Sequence, residues 1–109
     1  MATTPSNTII LKGRSGATYE FTVYRWGTEF KPIGGVYAVL KLRTDGRYDV
    51  IYIGETGTLN ERFDSHHKAR CFDRNGKTHV GVCLESSQER RRTIEQDLIA
   101  NYKPPCNGE

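Results

Sequence analysis

The side chains in this chain whose types could do chemistry together are Tyr37, Tyr52, Arg62, His66 and Glu95. Phosphate chemistry uses such groups. An arginine grips a phosphate through its planar fork of donors. A histidine accepts a proton or donates a hydrogen bond near neutral pH. A lone glutamate is enough for magnesium, which takes one or two protein carboxylates and keeps several waters. A tyrosine near its reference pKa of ~10 is a poor base at neutral pH and needs neighbouring cations or a proton relay. Arg62, Lys41 and a metal are the candidates for that help. Zinc is a competing chemistry, since His66, His67, Cys71, His79 and Cys83 lie close in sequence. They lack the tight paired spacing of structural zinc sites, and core packing is the better reading for Cys83.

The two tyrosines need a hairpin to bring them together. Asp45-Gly46 lies between two β-rich runs, and Asp-Gly is a strong hairpin signal because both central residues of a type I′ turn need φ > 0. A two-residue loop there pairs Thr44 with Arg47, Leu42 with Asp49, Leu40 with Ile51 and Val39 with Tyr52. Tyr37 and Tyr52 then lie diagonally on one face, within reach of one phosphate-sized group. Val36, Ala38, Leu40, Leu42, Ile51 and Ile53 fill the other face. A slip of one residue would separate the tyrosines. Thr58-Leu59-Asn60-Glu61 reads as a capping box opening a helix over about 59–69, with Leu59 and Phe63 buried. Arg62 and His66 stand one turn apart on it, so both reach the same point. Thr78 to Leu84 reads as a strand with Val80 and Val82 on one face. Ser86-Ser87-Gln88-Glu89 is a second capping box, for a helix to about Asn101 that Pro104-Pro105 stops. Ile94, Leu98 and Ile99 form its apolar stripe, and Glu95 stands at its rim.

Taken in order, Gly35-Val36-Tyr37, Tyr52-Ile53-Gly54, Arg62, His66, Glu95 before Leu98-Ile99, and Tyr102-Lys103-Pro104-Pro105-Cys106-Asn107 resemble the GIY-YIG nuclease family. The match covers roughly residues 33–107. The first triplet has valine where the family has isoleucine, and the spacing between triplets is on the long side, which lengthens the hairpin tip. The resemblance implies an endonuclease that hydrolyses phosphodiester bonds in DNA with Mg2+, or Mn2+ in its place. It puts Tyr37 on the attacking water, Tyr52 on the phosphate or buttressing Tyr37, Arg62 and His66 on the phosphate, and Glu95 on the metal. Gly35 and Gly54 are its structural glycines, Gly54 leaving space where the strand turns away. Asn107 ties the tail back to the site or contacts phosphate. Lys68 and Arg70, with Arg74, Lys77 and Arg90-Arg91-Arg92, are candidate phosphate-backbone contacts, weighed against a solvated basic surface. A non-cleaving nucleic-acid-binding or interaction module on the same fold is the alternative. RNA as substrate, a homodimer and a partner protein for targeting stay open.

The expected fold is α/β of the α+β type: a small, mainly antiparallel sheet flanked by helices. It forms one compact domain, with residues 1–32 as a tail and β-hairpin extension and residues 33–109 as the catalytic module. In the extension, Thr8–Lys12 and Thr18–Tyr24 read as strands around the turn 13–16, either extending the sheet at an edge or forming an accessory. Trp26 and Phe30 read as cover for the sheet edge. Residues 1–32 show no zinc-finger or helix-turn-helix pattern, so DNA would be held through phosphate contacts with little sequence preference. A net charge of +3 permits nucleic-acid binding without demanding it. No apolar run approaches the ~20 residues of a membrane span, and the first residues lack the regions of a signal peptide. Three cysteines at wide spacing suggest reduced thiols in a cytoplasmic protein.

Overall fold

The computed structural model of the chain describes residues 7–61, 63 and 66–108. Five strands form one sheet: β1 (Asn7–Lys12), β2 (Thr18–Arg25), β3 (Gly35–Leu42), β4 (Tyr48–Thr56) and β5 (His79–Leu84). The spatial order is β1-β2-β5-β3-β4, and every neighbouring pair is antiparallel. The leading hairpin therefore extends the central sheet, with β2 paired to β5. Among the described residues there are two α-helices, α1 (Ala69–Arg74) between β4 and β5 and α2 (Gln88–Tyr102) after β5. The architecture is α+β, with an apolar layer on each face of the sheet. Tyr37, Val39, Tyr52, Phe72, Val80 and Val82 pack on one face; Phe21, Val36, Ala38, Leu40 and Ile53 pack against Ile94 and Leu98 of α2 on the other.

The β3–β4 hairpin departs from the expected register in two ways that offset each other. Its loop has three residues, not two. Arg43 N–H donates to the Arg47 carbonyl at 2.7 Å and Gly46 N–H to the Arg43 carbonyl at 3.0 Å. Gly46 has φ +87°, the left-handed position that closes a three-residue loop after a type I turn. That moves Leu42 opposite Tyr48 and Leu40 opposite Val50. A register shift between Val39 and Leu40 then restores Val39 opposite Tyr52, leaving Ile51 as the extra residue of a β-bulge. Tyr37 and Tyr52 consequently share a face as expected, with ring centroids 6.1 Å apart. The bulge turns Ile51 onto their face instead of the opposite one, and Leu42 is exposed.

The expected helix over 59–69 is not formed as one element. Leu59–Glu61 is a single 3₁₀ turn, and the α-helix begins only at Ala69. Tertiary contacts override the capping signal here. Leu59 N–H is taken by the Ile33 carbonyl at 2.9 Å, its side chain is fully buried, and His66 is drawn into the core. Helix α2 starts as anticipated to within a residue, but without a capping box. Ser87 is the N-cap, its Oγ accepting from Arg90 N–H at 3.2 Å, and Glu85 accepts the N–H of Ser87 at 3.0 Å. It ends at Tyr102, with Lys103 in the left-handed conformation ahead of Pro104.

The thiols are not all reduced: Cys71 of α1 and Cys106 form a disulfide. Cys106 lies in a 3₁₀ turn, Pro105–Asn107, and is fully buried. Widely spaced cysteines gave no sign of this in sequence, because the pairing depends on where the tail returns. Cys83 is the free cysteine and packs against the α2-side core, its thiol pushed up mainly by burial. Trp26 and Phe30 pack on the Tyr37 face of the sheet, not over its edge.

Candidate active site

Tyr37 rises from the middle of β3 and is fully buried; Tyr52 of β4 is nearly so. Between them and α1 sits His66, also buried. Tyr37 Oη lies 2.8 Å from His66 Nε2, and His66 Nδ1 accepts the backbone N–H of Lys68 at 3.0 Å. An Nδ1 that accepts an N–H cannot itself carry a proton. His66 is therefore the Nε2–H tautomer and donates to the tyrosine oxygen. That leaves the phenolic hydrogen of Tyr37 to be donated to a second acceptor. In this arrangement the imidazole holds the tyrosine hydroxyl in place.

Aromatic rings fix this arrangement. His66 lies 5.2 Å from Tyr52, 4.8 Å from Phe72 and 4.7 Å from the stacked ring of His67. Phe63 meets Tyr37 edge-on at 5.1 Å. Such pairs add roughly 0.5–1.5 kcal/mol each beyond the area they bury. Gly54 is required directly opposite. A Cβ there would lie 2.4 Å from Tyr37 Oη and 2.5 Å from Cζ, so the tyrosine ring occupies the space of the missing side chain. The strand does not turn away at Gly54, since β4 continues to Thr56. Gly35 plays the parallel part beneath Leu59, with the Cys83 carbonyl 3.0 Å from where its Cβ would be.

The tail closes the site from the β4 edge. Asn107 Oδ1 accepts Ile53 N–H and its Nδ2 donates to the Ile53 carbonyl, both at 2.9 Å. The carboxamide thus pairs with the strand edge as another strand would. Of the two roles expected for Asn107, this is the one that ties the tail back. Asn75 Nδ2 donates to the Cys71 carbonyl at 2.8 Å. The disulfide ties α1 to the tail, and Asn107 ties the tail to β4.

Glu95 has a different set of partners. It sits beside Glu55, the residue after Gly54, on the α2 side of the sheet. Burial chiefly, and then the negative charge of Glu55, raises its pKa above the ordinary carboxylate value. Arg91 is buried beneath them: its Nε donates to Glu55 Oε1 at 2.8 Å, and its Nη1 to the carbonyls of Glu85 and Ser86 at 3.0 and 2.9 Å. Arg90 pairs with Glu85 at 3.1 Å, and Arg92 lies 4.0 Å from Glu55. The Arg90-Arg91-Arg92 run is thus not three solvated cations. Its middle member is an internal brace, and a Cβ at Gly34 would meet it at 2.6 Å.

The structure brings Tyr37, Tyr52 and His66 together on one face of the sheet and gives Glu95 its own group on the α2 face; the two are joined only through consecutive residues of β4, Gly54 and Glu55. Arg62 lies outside the described residues. Lys68 is half-buried beside His66, Arg70 is exposed on α1, and Lys41 is exposed. The zinc reading is overturned. His66 is bonded to Tyr37, Cys71 to Cys106, and His79 Nδ1 lies 2.8 Å from Thr78 Oγ1. Among the described residues no three His, Cys, Asp or Glu side chains form a metal-holding group, and no helix is long and apolar enough to cross a membrane. Sequence reasoning missed Glu55, whose one signal was a charged residue directly after the second triplet, and it weighed Arg91 as a phosphate contact or solvated cation, not as the internal brace it is. No family model matches the chain, nor does any curated protein or solved structure.

Proposed function

We propose that the chain is a GIY-YIG-type endonuclease that hydrolyses phosphodiester bonds in DNA with a divalent metal. The observation that carries the reading is the buried Tyr37–His66 hydrogen bond, 2.8 Å long, flanked by Tyr52. Residues far apart in sequence, which the family pattern names in order, meet at one hydroxyl. A buried tyrosine hydroxyl takes a partner even where the ring only packs, so the support lies in which residue supplies it: the histidine that the family pattern names. The donor fixes the position of Tyr37 Oη. Arg62 is the proposed clamp on the phosphate, with Lys68 and Arg70 along the backbone path.

The residues present fit a Mg2+ or Mn2+ ion at Glu95. A carboxylate held in partial burial beside a second carboxylate is one whose proton affinity is raised, and a cation relieves the same repulsion. Glu95 would hold the ion, with Glu55 beside it tethered by Arg91. Bound there, a divalent cation supplies charge stabilisation for the phosphate and the departing oxygen.

A non-cleaving nucleic-acid-binding or interaction module on the same fold is favoured by one observation: Tyr37 is sealed from solvent, so water reaches its hydroxyl only if covering side chains move. One experiment separates the two readings. The parent and Glu95→Ala are incubated with labelled DNA and RNA panels, with and without Mg2+ or Mn2+. Metal-dependent cleavage by the parent and none by the variant supports the nuclease. Binding without cleavage by either supports the module.

A further inference from the structure

We propose that the cavity next to Tyr37 seats one unpaired nucleobase, so that the substrate is single-stranded or locally unpaired nucleic acid. The inference rests on the nuclease reading for where the phosphate lies, and it adds what lies beside it. The cavity is about 450 Å³ and is walled by Trp26, Phe30 and Phe63. That volume falls within the ~300–1,000 Å³ range of small-molecule sites. None of the three aromatic side chains is buried, although each packs on the core. Phe63 joins the cavity to the site: its ring lies 5.6 Å from Phe30, 5.7 Å from Trp26 and 5.1 Å from Tyr37.

The chemistry of the walls selects a base over a phosphate or a sugar. Every base presents a π-face, so aromatic walls hold it without regard to sequence. Glu29 and Asn60 stand at the rim. A carboxylate repels phosphate but accepts from the exocyclic amino groups of cytosine, adenine or guanine, and an amide serves either edge of a base. The cation near these walls is already matched: Lys77 Nζ lies 5.1 Å over the centroid of the Trp26 ring and is paired with Asp73, so it does not call a phosphate into the cavity. A base stacked inside a duplex cannot enter such a cavity unless it is extruded.

Trp26 is the only tryptophan, so tryptophan fluorescence reports on the surroundings of this one cavity wall. The parent is titrated in EDTA, which stops metal-dependent cleavage, with a single-stranded DNA oligomer, its blunt duplex, and an abasic strand of equal length. Anisotropy of a dye on each strand reads binding independently. The expected result is quenching of Trp26 by the single strand, at least ~10-fold weaker quenching by the duplex, and binding without quenching by the abasic strand. Phe30→Leu should weaken the single-strand titration by ~10-fold, as loss of one stacking wall does. Equal quenching by the abasic strand, or binding of the single strand with no quenching, overturns the proposal and leaves the nuclease reading standing. Quenching that demands bases, from a protein that never cleaves with metal, supports the cavity and removes the nuclease. No binding of any strand overturns both.

Discussion

Tyr37→Phe tests the site most directly, because the structure sets both its cost in stability and its cost in rate. The substitution keeps the ring, with its contacts to Phe63 and Tyr52, and deletes one oxygen. That oxygen is the acceptor for His66 Nε2–H at 2.8 Å in a buried setting. A buried donor left without a partner costs ~1–3 kcal/mol. Folded domains of this size have ~5–15 kcal/mol in hand, so the variant stays folded. Even the upper figure leaves the folded fraction near one and cannot imitate a large loss of rate. A hydroxyl that takes part in proton transfer is worth ~10²–10⁴-fold. Single-turnover cleavage of labelled DNA in Mg2+ and urea unfolding are measured side by side. Tyr24→Phe is the control: its ring packs edge-on against Phe30 at 5.3 Å on the same sheet face. The expected outcome is a rate loss above ~10²-fold at Tyr37 and little change at Tyr24. A Tyr37→Phe variant that cleaves within ~10-fold of the parent rate, yet is destabilised by ~1–3 kcal/mol, would make the tyrosine a packing residue and refute the assignment.

Glu95→Gln should abolish metal-dependent cleavage while leaving the fold at least as stable near neutral pH. The raised pKa means the folded state binds this proton more tightly than the unfolded chain, so ionisation of Glu95 opposes folding once pH rises through its folded value. The advantage of the glutamine variant in urea midpoint should therefore shrink as pH falls to the ordinary carboxylate range and below; a constant gap would contradict the cause given. Asp97 behaves oppositely: bonds from the Ser15 side chain and backbone, then Tyr19, hold its carboxyl below the usual value. Its contribution is present above the unfolded pKa and is lost as pH falls through the folded one. Asp97→Asn should lower stability at neutral pH and lessen the acid sensitivity of the β1–β2 turn, read as amide exchange at Ser15; unchanged exchange counts against the contact. The Cys71–Cys106 bond closes a separation of 35 residues, for which the loop-entropy relation gives ~4 kcal/mol. Reduction, or Cys71→Ser with Cys106→Ser, should cost about that much in urea unfolding. A loss under ~1 kcal/mol would mean that the thiols are not bonded in solution.

What was legible in the sequence was whatever depends on alternation and local chemistry. The β3 and β4 runs, β5, and the apolar stripe of α2 follow from side-chain period, which the chain carries on its surface. The placement of Tyr37 with Tyr52 was also foreseen, but through two misreadings that cancelled. Asp45-Gly46 signals a two-residue loop where the structure has three, and the expected pairing contains no bulge at Ile51. Each displaces the register by one residue, and together they restore it at Val39 opposite Tyr52. Nothing local marks a bulge at Ile51, since it serves the packing of a face that only exists once the sheet is formed. The broken first helix has a similar origin. Thr58 and Glu61 are real capping signals, but a full helix to 69 would compete with the contacts that seat His66 at Tyr37.

The residues around the site show why a motif read as a list of functions is partly a list of supports. Gly54 makes room for the Tyr37 ring, Asn107 closes the β4 edge beside it, and His66 fixes the hydroxyl. Each does work that another residue in the pattern requires. The carboxylate side follows the same logic. Arg91 binds Glu55 and the carbonyls of Glu85 and Ser86, and so joins β4 to the start of α2 at the point where Glu95 emerges one helical turn later. Removing its charge would leave Glu55, half-buried beside Glu95, with Arg92 at 4.0 Å as its remaining cation, raising the repulsion that a divalent ion would otherwise relieve. The two halves of the site are thus linked through consecutive residues of one strand, Gly54 facing the tyrosine and Glu55 facing the carboxylate. An edge strand with its tail held in place by Asn107 and the Cys71–Cys106 bond can keep them in fixed relation, whereas a frayed β4 edge could not.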